Sequence, residues 1–144
     1  SPMTGGFSMR RGPIPLNVHA ALEPLIAIVI IAAPWIFGFS NVDAAKVVCI
    51  AVGAVMLIAG AMTDWRLSIA RVIPLRVHFM TDLALAAVLI VAPFVLGFGD
   101  QGGATRFMVI AGVLEALTAL ATRWDPLEAE ESAVDRRSRS TLTH

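Results

Sequence analysis

The sequence predicts an all-α membrane protein: four transmembrane helices, formed by two tandem helical-hairpin repeats in parallel orientation. Three observations predict it: composition, the length of the apolar runs, and an internal duplication. Of 144 residues, 57% are apolar and 15% charged, and the mean hydropathy is +0.77. Soluble domains hold roughly 45–50% and about 25%. A chain this short makes one small domain, whose core cannot absorb the excess. The bilayer is therefore the expected solvent.

The apolar residues fall into four runs, at about 20–39, 44–62, 79–98 and 104–121. Each approaches the ~20 residues that cross a ~30 Å hydrocarbon core as a helix. Strands are excluded by the absence of period-two alternation, and four strands cannot close a barrel in lipid.

Residues 14–66 align with 73–125 at a constant offset of 59, with 16 identities in 53 positions. Ile-Pro-Leu-x-Val-His occurs at Ile14–His19 and at Ile73–His78. Ala33-Pro34-Trp35-x-x-Gly38-Phe39 matches Ala92-Pro93-Phe94-x-x-Gly97-Phe98. Gly53, Thr63 and Trp65 match Gly112, Thr122 and Trp124. Two apolar helices share Leu, Val and Ala by composition, but not Pro, His, Trp and Gly at one offset. Each unit holds two helices, so both copies insert the same way, related by a pseudo-two-fold axis along the membrane normal.

The segments expected around the repeats are a flexible N-terminal stretch (1–13), a linker (67–72) and a polar tail (126–144). In the tail, acids at Glu128, Glu130 and Glu131 precede bases at Arg136, Arg137 and Arg139. That reads as a solvated tail, with one helical turn after Pro126. The first span is read as a mature helix rather than a signal peptide: Pro34 directly follows the Ala32-Ala33 cleavage candidate, and the pattern recurs 59 residues on.

The repeated Ala-Pro-Trp/Phe-x-x-Gly-Phe signature, with its spacing, resembles the SPW-repeat family of small prokaryotic membrane proteins. Ala33 and Ala92 stand where the family name has Ser, and Phe94 replaces Trp. The resemblance implies tandem helical hairpins over about residues 14–125 and no particular activity. Independently of it, Pro34 and Pro93 should kink or loosen the odd helices near their outer ends. The next aromatic should anchor at the interface, and Gly38 and Gly97 should permit a turn into a short loop through Asn41, or through Asp100 and Gly102-Gly103.

Candidate chemical residues are few. His19 with Glu23, and His78 with Asp82, are i,i+4 pairs at equal depth near one end of the odd helices. The simpler reading is a local His–carboxylate hydrogen bond at a wet interface. The sharper ones are a zinc or iron site or a haem held between two helices. No cofactor is expected on balance. Glu115 lies inside the fourth run, where its repeat counterpart is Met56. An intramembrane acid is a functional candidate by default. It reads as an uncharged acid in a helix contact, for instance bonded to Thr118, or as a proton or cation site, or as a contact to another subunit. Cys49 reads as an inert core residue. Catalytic motifs are absent, and a net charge of zero gives no footprint for nucleic acid.

The function these features favour is a non-enzymatic scaffold or accessory subunit in the lipid bilayer, partnered by other membrane subunits or by itself. The alternatives are a small proton- or cation-coupled transporter using Glu115, and a metal or haem anchor through His19 and His78.

Nine of the eleven basic residues fall on one side: Arg10, Arg11, Arg66, Arg71, Arg76, Arg123, Arg136, Arg137 and Arg139. Only Lys46 and Arg106 fall on the other. The bias places both termini in the cytoplasm, Trp65 and Trp124 at the inner interface and Trp35 near the outer one. Reporter fusions at either terminus should therefore show cytoplasmic activity. A periplasmic signal from either would reverse the assignment.

Overall fold

A computed structural model describes residues 12–63, 69–124 and 138–141. It contains four long helices, α1 (Leu16–Ile36), α2 (Asp43–Met62), α3 (Leu75–Val95) and α4 (Gly102–Ala121). All four are long and apolar enough to cross a membrane. Trp65, Arg66 and most of the segments expected at 1–13 and 126–144 lie outside the described residues. So does the turn expected after Pro126; a helical turn is found at 138–141.

The odd helices begin about four residues before the apolar runs and end before them. Pro15 and Pro74 occupy the N-cap positions in extended conformation, with ψ of 147° and 149°. Their carbonyls accept the amides of His19 and His78 at 3.2 and 3.1 Å, so the polar first turn is already helical. At the other end, Pro34 and Pro93 do not stop the helix at once. They stand in its last turn, and the carbonyls of Pro34 and Pro93 accept the amides of Phe39 and Phe98 at 2.8 and 2.9 Å. Gly38 and Gly97, with φ of 76° and 80°, make the left-handed residue between. This is a Schellman cap, which satisfies terminal carbonyls and brings the following side chain back over the helix. Each residue of the repeated signature thus has a place. Trp35 and Phe94 point outward, whereas Phe39 and Phe98 turn in and close the core. Gly102 and Gly103, expected in the second outer turn, open α4 instead.

Within each hairpin the helices lie side by side, α1 on α2 and α3 on α4. The hairpins meet chiefly through α2 and α3, and the α1–α4 seam is looser. Gly53 and Gly112 mark the close approaches. A Cβ on Gly53 would run into Ile31 and lie 2.8 Å from the carbonyl oxygen of Ala27; one on Gly112 would lie 2.7 Å from that of Ala86. Small residues permit such contact where lipid supplies no hydrophobic force between helices. The core combines Ala27, Ala33 and Ala45 with Ile30, Met56, Leu89 and Met108. Cys49 is fully buried among them. Large apolar side chains point outward from every helix, among them Leu25, Ile58, Val95 and Leu117. Water would penalise such a surface and lipid does not.

Two isolated parallel bridges fasten the other end, which we call the terminal end. Ile14 pairs with Thr122: the Ile14 amide donates to Ala121 at 3.0 Å, and the Arg123 amide to Ile14 at 2.9 Å. Ile73 pairs with Thr63, its amide donating to Met62 at 2.8 Å. The Ile-Pro segment of each repeat therefore joins the C-terminus of the other repeat's second helix.

Gly38→Ala should cost roughly 1–2 kcal/mol, the penalty of a left-handed non-glycine residue. Gly53→Leu should cost more, because the obstacle is backbone. Thermal denaturation in detergent, followed by helical circular dichroism, checks that order.

Candidate functional site

The terminal end gathers most of the described buried polar side chains into one centre. His19 and Glu23 occupy one face of α1, and His78 and Asp82 the matching face of α3. Each is at most 2% exposed. The two imidazoles meet edge to face, with centroids 6.1 Å apart.

The hydrogen bonds cross between the repeats. His19 Nε2 meets Asp82 Oδ2 at 3.1 Å, and His78 Nε2 meets Glu23 Oε2 at 2.8 Å. The i,i+4 contacts expected from the spacing exist but are secondary: His19 Nε2 to Glu23 Oε2 is 3.5 Å, and His78 Nε2 to Asp82 Oδ1 is 3.2 Å. Nor is this a wet interface. Sequence spacing shows that a His and an acid share a helix face, but it is blind to the second helix opposite. Asp82 Oδ1 is left buried without a hydrogen bond.

Two threonines orient the rings. Thr63 Oγ1 donates to Ala59 O at 2.5 Å, and Thr122 Oγ1 to Thr118 O at 2.6 Å. With its proton committed, each hydroxyl oxygen accepts from an imidazole: His78 Nδ1 at 2.6 Å and His19 Nδ1 at 2.9 Å. A hydroxyl has a single proton, so this network puts a hydrogen on each Nδ1 and turns each Nε2 to the carboxylates. Trp124 covers the group. Its ring packs 4.9 Å from His19 and 5.6 Å from His78, and its Nε1 donates to Ala119 O at 2.7 Å. Trp124 thus lies at the expected end of the molecule but is buried, as a cover for the histidines rather than a lipid-facing anchor.

The four residues can each offer one ligand atom, all within 4.8 Å of one another. Imidazole and carboxylate donors in fours suit a first-row divalent metal. They do not suit haem. A porphyrin between two axial histidines needs the plane between them clear, and here Glu23 and Asp82 fill it.

A family model described as SPW repeat domain matches residues 17–122, spanning all four helices and both Pro-aromatic signatures. The chain belongs to the SPW repeat family. No curated protein and no solved structure matches it. In this SPW repeat protein the family signature lies at the hairpin end, and the polar centre at the opposite, terminal end.

Glu115 is a third buried acid among the described residues, within electrostatic reach of the four. Its Oε1 has no hydrogen-bond partner. The partner expected for it, Thr118, donates instead to Leu114 O at 2.7 Å. Glu115 lies on a groove of about 810 Å³ between α1 and α4, lined by apolar side chains such as Leu25, Val29, Phe107 and Ile110. Its counterpart Met56 is buried in the core of the other half.

Thr63, Thr122 and the role of Trp124 are what residue chemistry alone overlooks. Their signal is the repeat itself, which pairs the two threonines at the same offset as the histidines. His78→Ala would strip the cross-repeat partner from Glu23 and should cost about 3–5 kcal/mol, as when one member of a buried ion pair is removed. Thr63→Val leaves one buried donor unpaired and should cost about 1–3 kcal/mol. Denaturant titration of the two variants in the same detergent checks the order.

Proposed function

We propose that this SPW repeat protein is a non-enzymatic scaffold or accessory subunit of the prokaryotic cell (inner) membrane, with both termini cytoplasmic. The observation that carries the reading is how its surface is used. The described chain is almost entirely four spanning helices joined at the hairpin end by two six-residue turns, and every helix presents large apolar side chains outward. The polar groups of the terminal centre face inward and bind one repeat to the other. Such a body offers contact surface to lipid and to other membrane subunits or further copies of itself. Its balanced charge offers nothing to nucleic acid.

A second reading, a small proton- or cation-coupled transporter, draws support from Glu115. A buried acid with an unpaired oxygen beside a groove is what a carrier site requires.

Gentle detergent extraction from the native membrane should bring the protein out in a particle larger than one copy, with a membrane subunit or with itself. A lone monomer would overturn the accessory reading. For the second reading, proteoliposomes should show proton flux that Glu115→Gln abolishes. Flux unchanged by that substitution would remove Glu115 from the mechanism.

A further inference from the structure

We infer that His19, Glu23, His78 and Asp82 form an intramembrane binding site for one divalent metal ion, of which zinc is the best fit. The site takes half its ligands from each repeat.

Three independent observations converge. The first is distance. Zinc–nitrogen and zinc–oxygen bonds of about 2.0–2.2 Å in a tetrahedron separate neighbouring ligand atoms by roughly 3.3–3.6 Å. The nitrogen–oxygen separations here are 2.8, 3.1, 3.2 and 3.5 Å. The 3.1 and 3.2 Å contacts use the two different oxygens of Asp82, and one ligand atom from each of the four residues lies within 4.8 Å of the others, so side-chain shifts of about an ångström would bring the set to that tetrahedron.

The second is orientation. Metal-binding histidines almost always donate their remote ring N–H to a fixed acceptor, which sets the tautomer and aims the other nitrogen. Thr63 and Thr122 supply those acceptors, because each hydroxyl proton is already committed to a helix carbonyl. Both Nε2 atoms then face the carboxylates.

The third is an unmet requirement. Asp82 is fully buried, and its Oδ1 makes no hydrogen bond although it lies 3.2 Å from His78 Nε2. Glu23 Oε2 likewise stands between both imidazoles. One cation at the centre would satisfy all of these atoms together. A divalent ion that took the place of the Nε2 protons would be balanced by the two carboxylates, so the loaded group would be as neutral as the hydrogen-bonded one, as a low-dielectric interior favours.

The inference does not depend on the accessory-subunit reading, since it concerns the isolated chain. Purified protein is stripped with a chelator and titrated with Zn²⁺ and, as a coloured reporter of four-coordinate geometry, with Co²⁺. The expected result is one ion per chain, with the intense visible bands of tetrahedral cobalt and bleaching of those bands by zinc. Asp82→Asn keeps the side chain's shape and should abolish the bands. Thr63→Val should weaken zinc binding about 10–100-fold while leaving the stoichiometry at one. Failure of the stripped, helical wild-type protein to bind either ion would overturn the site. So would binding unchanged in Asp82→Asn. Either result leaves the co-purification test of the accessory reading untouched.

Discussion

The crossed hydrogen bonds between His19 and Asp82, and between His78 and Glu23, are the interaction on which the rest depends. In lipid, apolar surface gains little by leaving its surroundings, so two hairpins do not associate through a hydrophobic effect. Close packing and interhelical polar bonds must do it. Packing alone is strong within each hairpin, where Gly53 and Gly112 let the helices touch, and weaker between hairpins. The polar centre supplies the missing link. Every one of its main bonds joins one repeat to the other, and three of them span 55 residues or more of chain.

Local structure at the terminal end serves that centre. The extended Ile-Pro segments hydrogen-bond to the C-termini of α4 and α2, bringing Thr122 and Thr63 beside His19 and His78. The proline caps begin the helix early enough to put each histidine in an ordered turn. Trp124 then covers both rings. The hairpin end has the opposite design. There the Schellman caps satisfy the backbone and tuck Phe39 and Phe98 inside, and Thr105 donates to the carbonyls of the second turn.

The duplication is not perfectly symmetrical, and its asymmetry has a location. Met56 fills the α2 side of the core, whereas its counterpart Glu115 lies beside an open groove along α1 and α4. Replacing a thioether by a carboxylate removes apolar packing and leaves an oxygen that needs a partner. That seam is where the chemistry of the two repeats parts.

Span number, the hairpin repeat and the membrane setting were legible in the sequence because they follow from run length, periodic identity and composition, which are local properties. The histidines and acids were also visible, as i,i+4 pairs on matching faces. Their true pairing was not. Two partners on one helix face look sufficient until a second helix brings closer ones, and only the meeting of α1 with α3 decides which oxygen each nitrogen takes. The same holds for Trp124, whose chemistry suits an interface but whose neighbours bury it, and for the threonines, whose hydroxyls acquire a role only beside an imidazole. The sequence by itself determined how many spans there are and what must lie in lipid. The tertiary structure alone decided that four separate polar side chains become one centre, because their bonds span the two repeats and no local rule reaches that far.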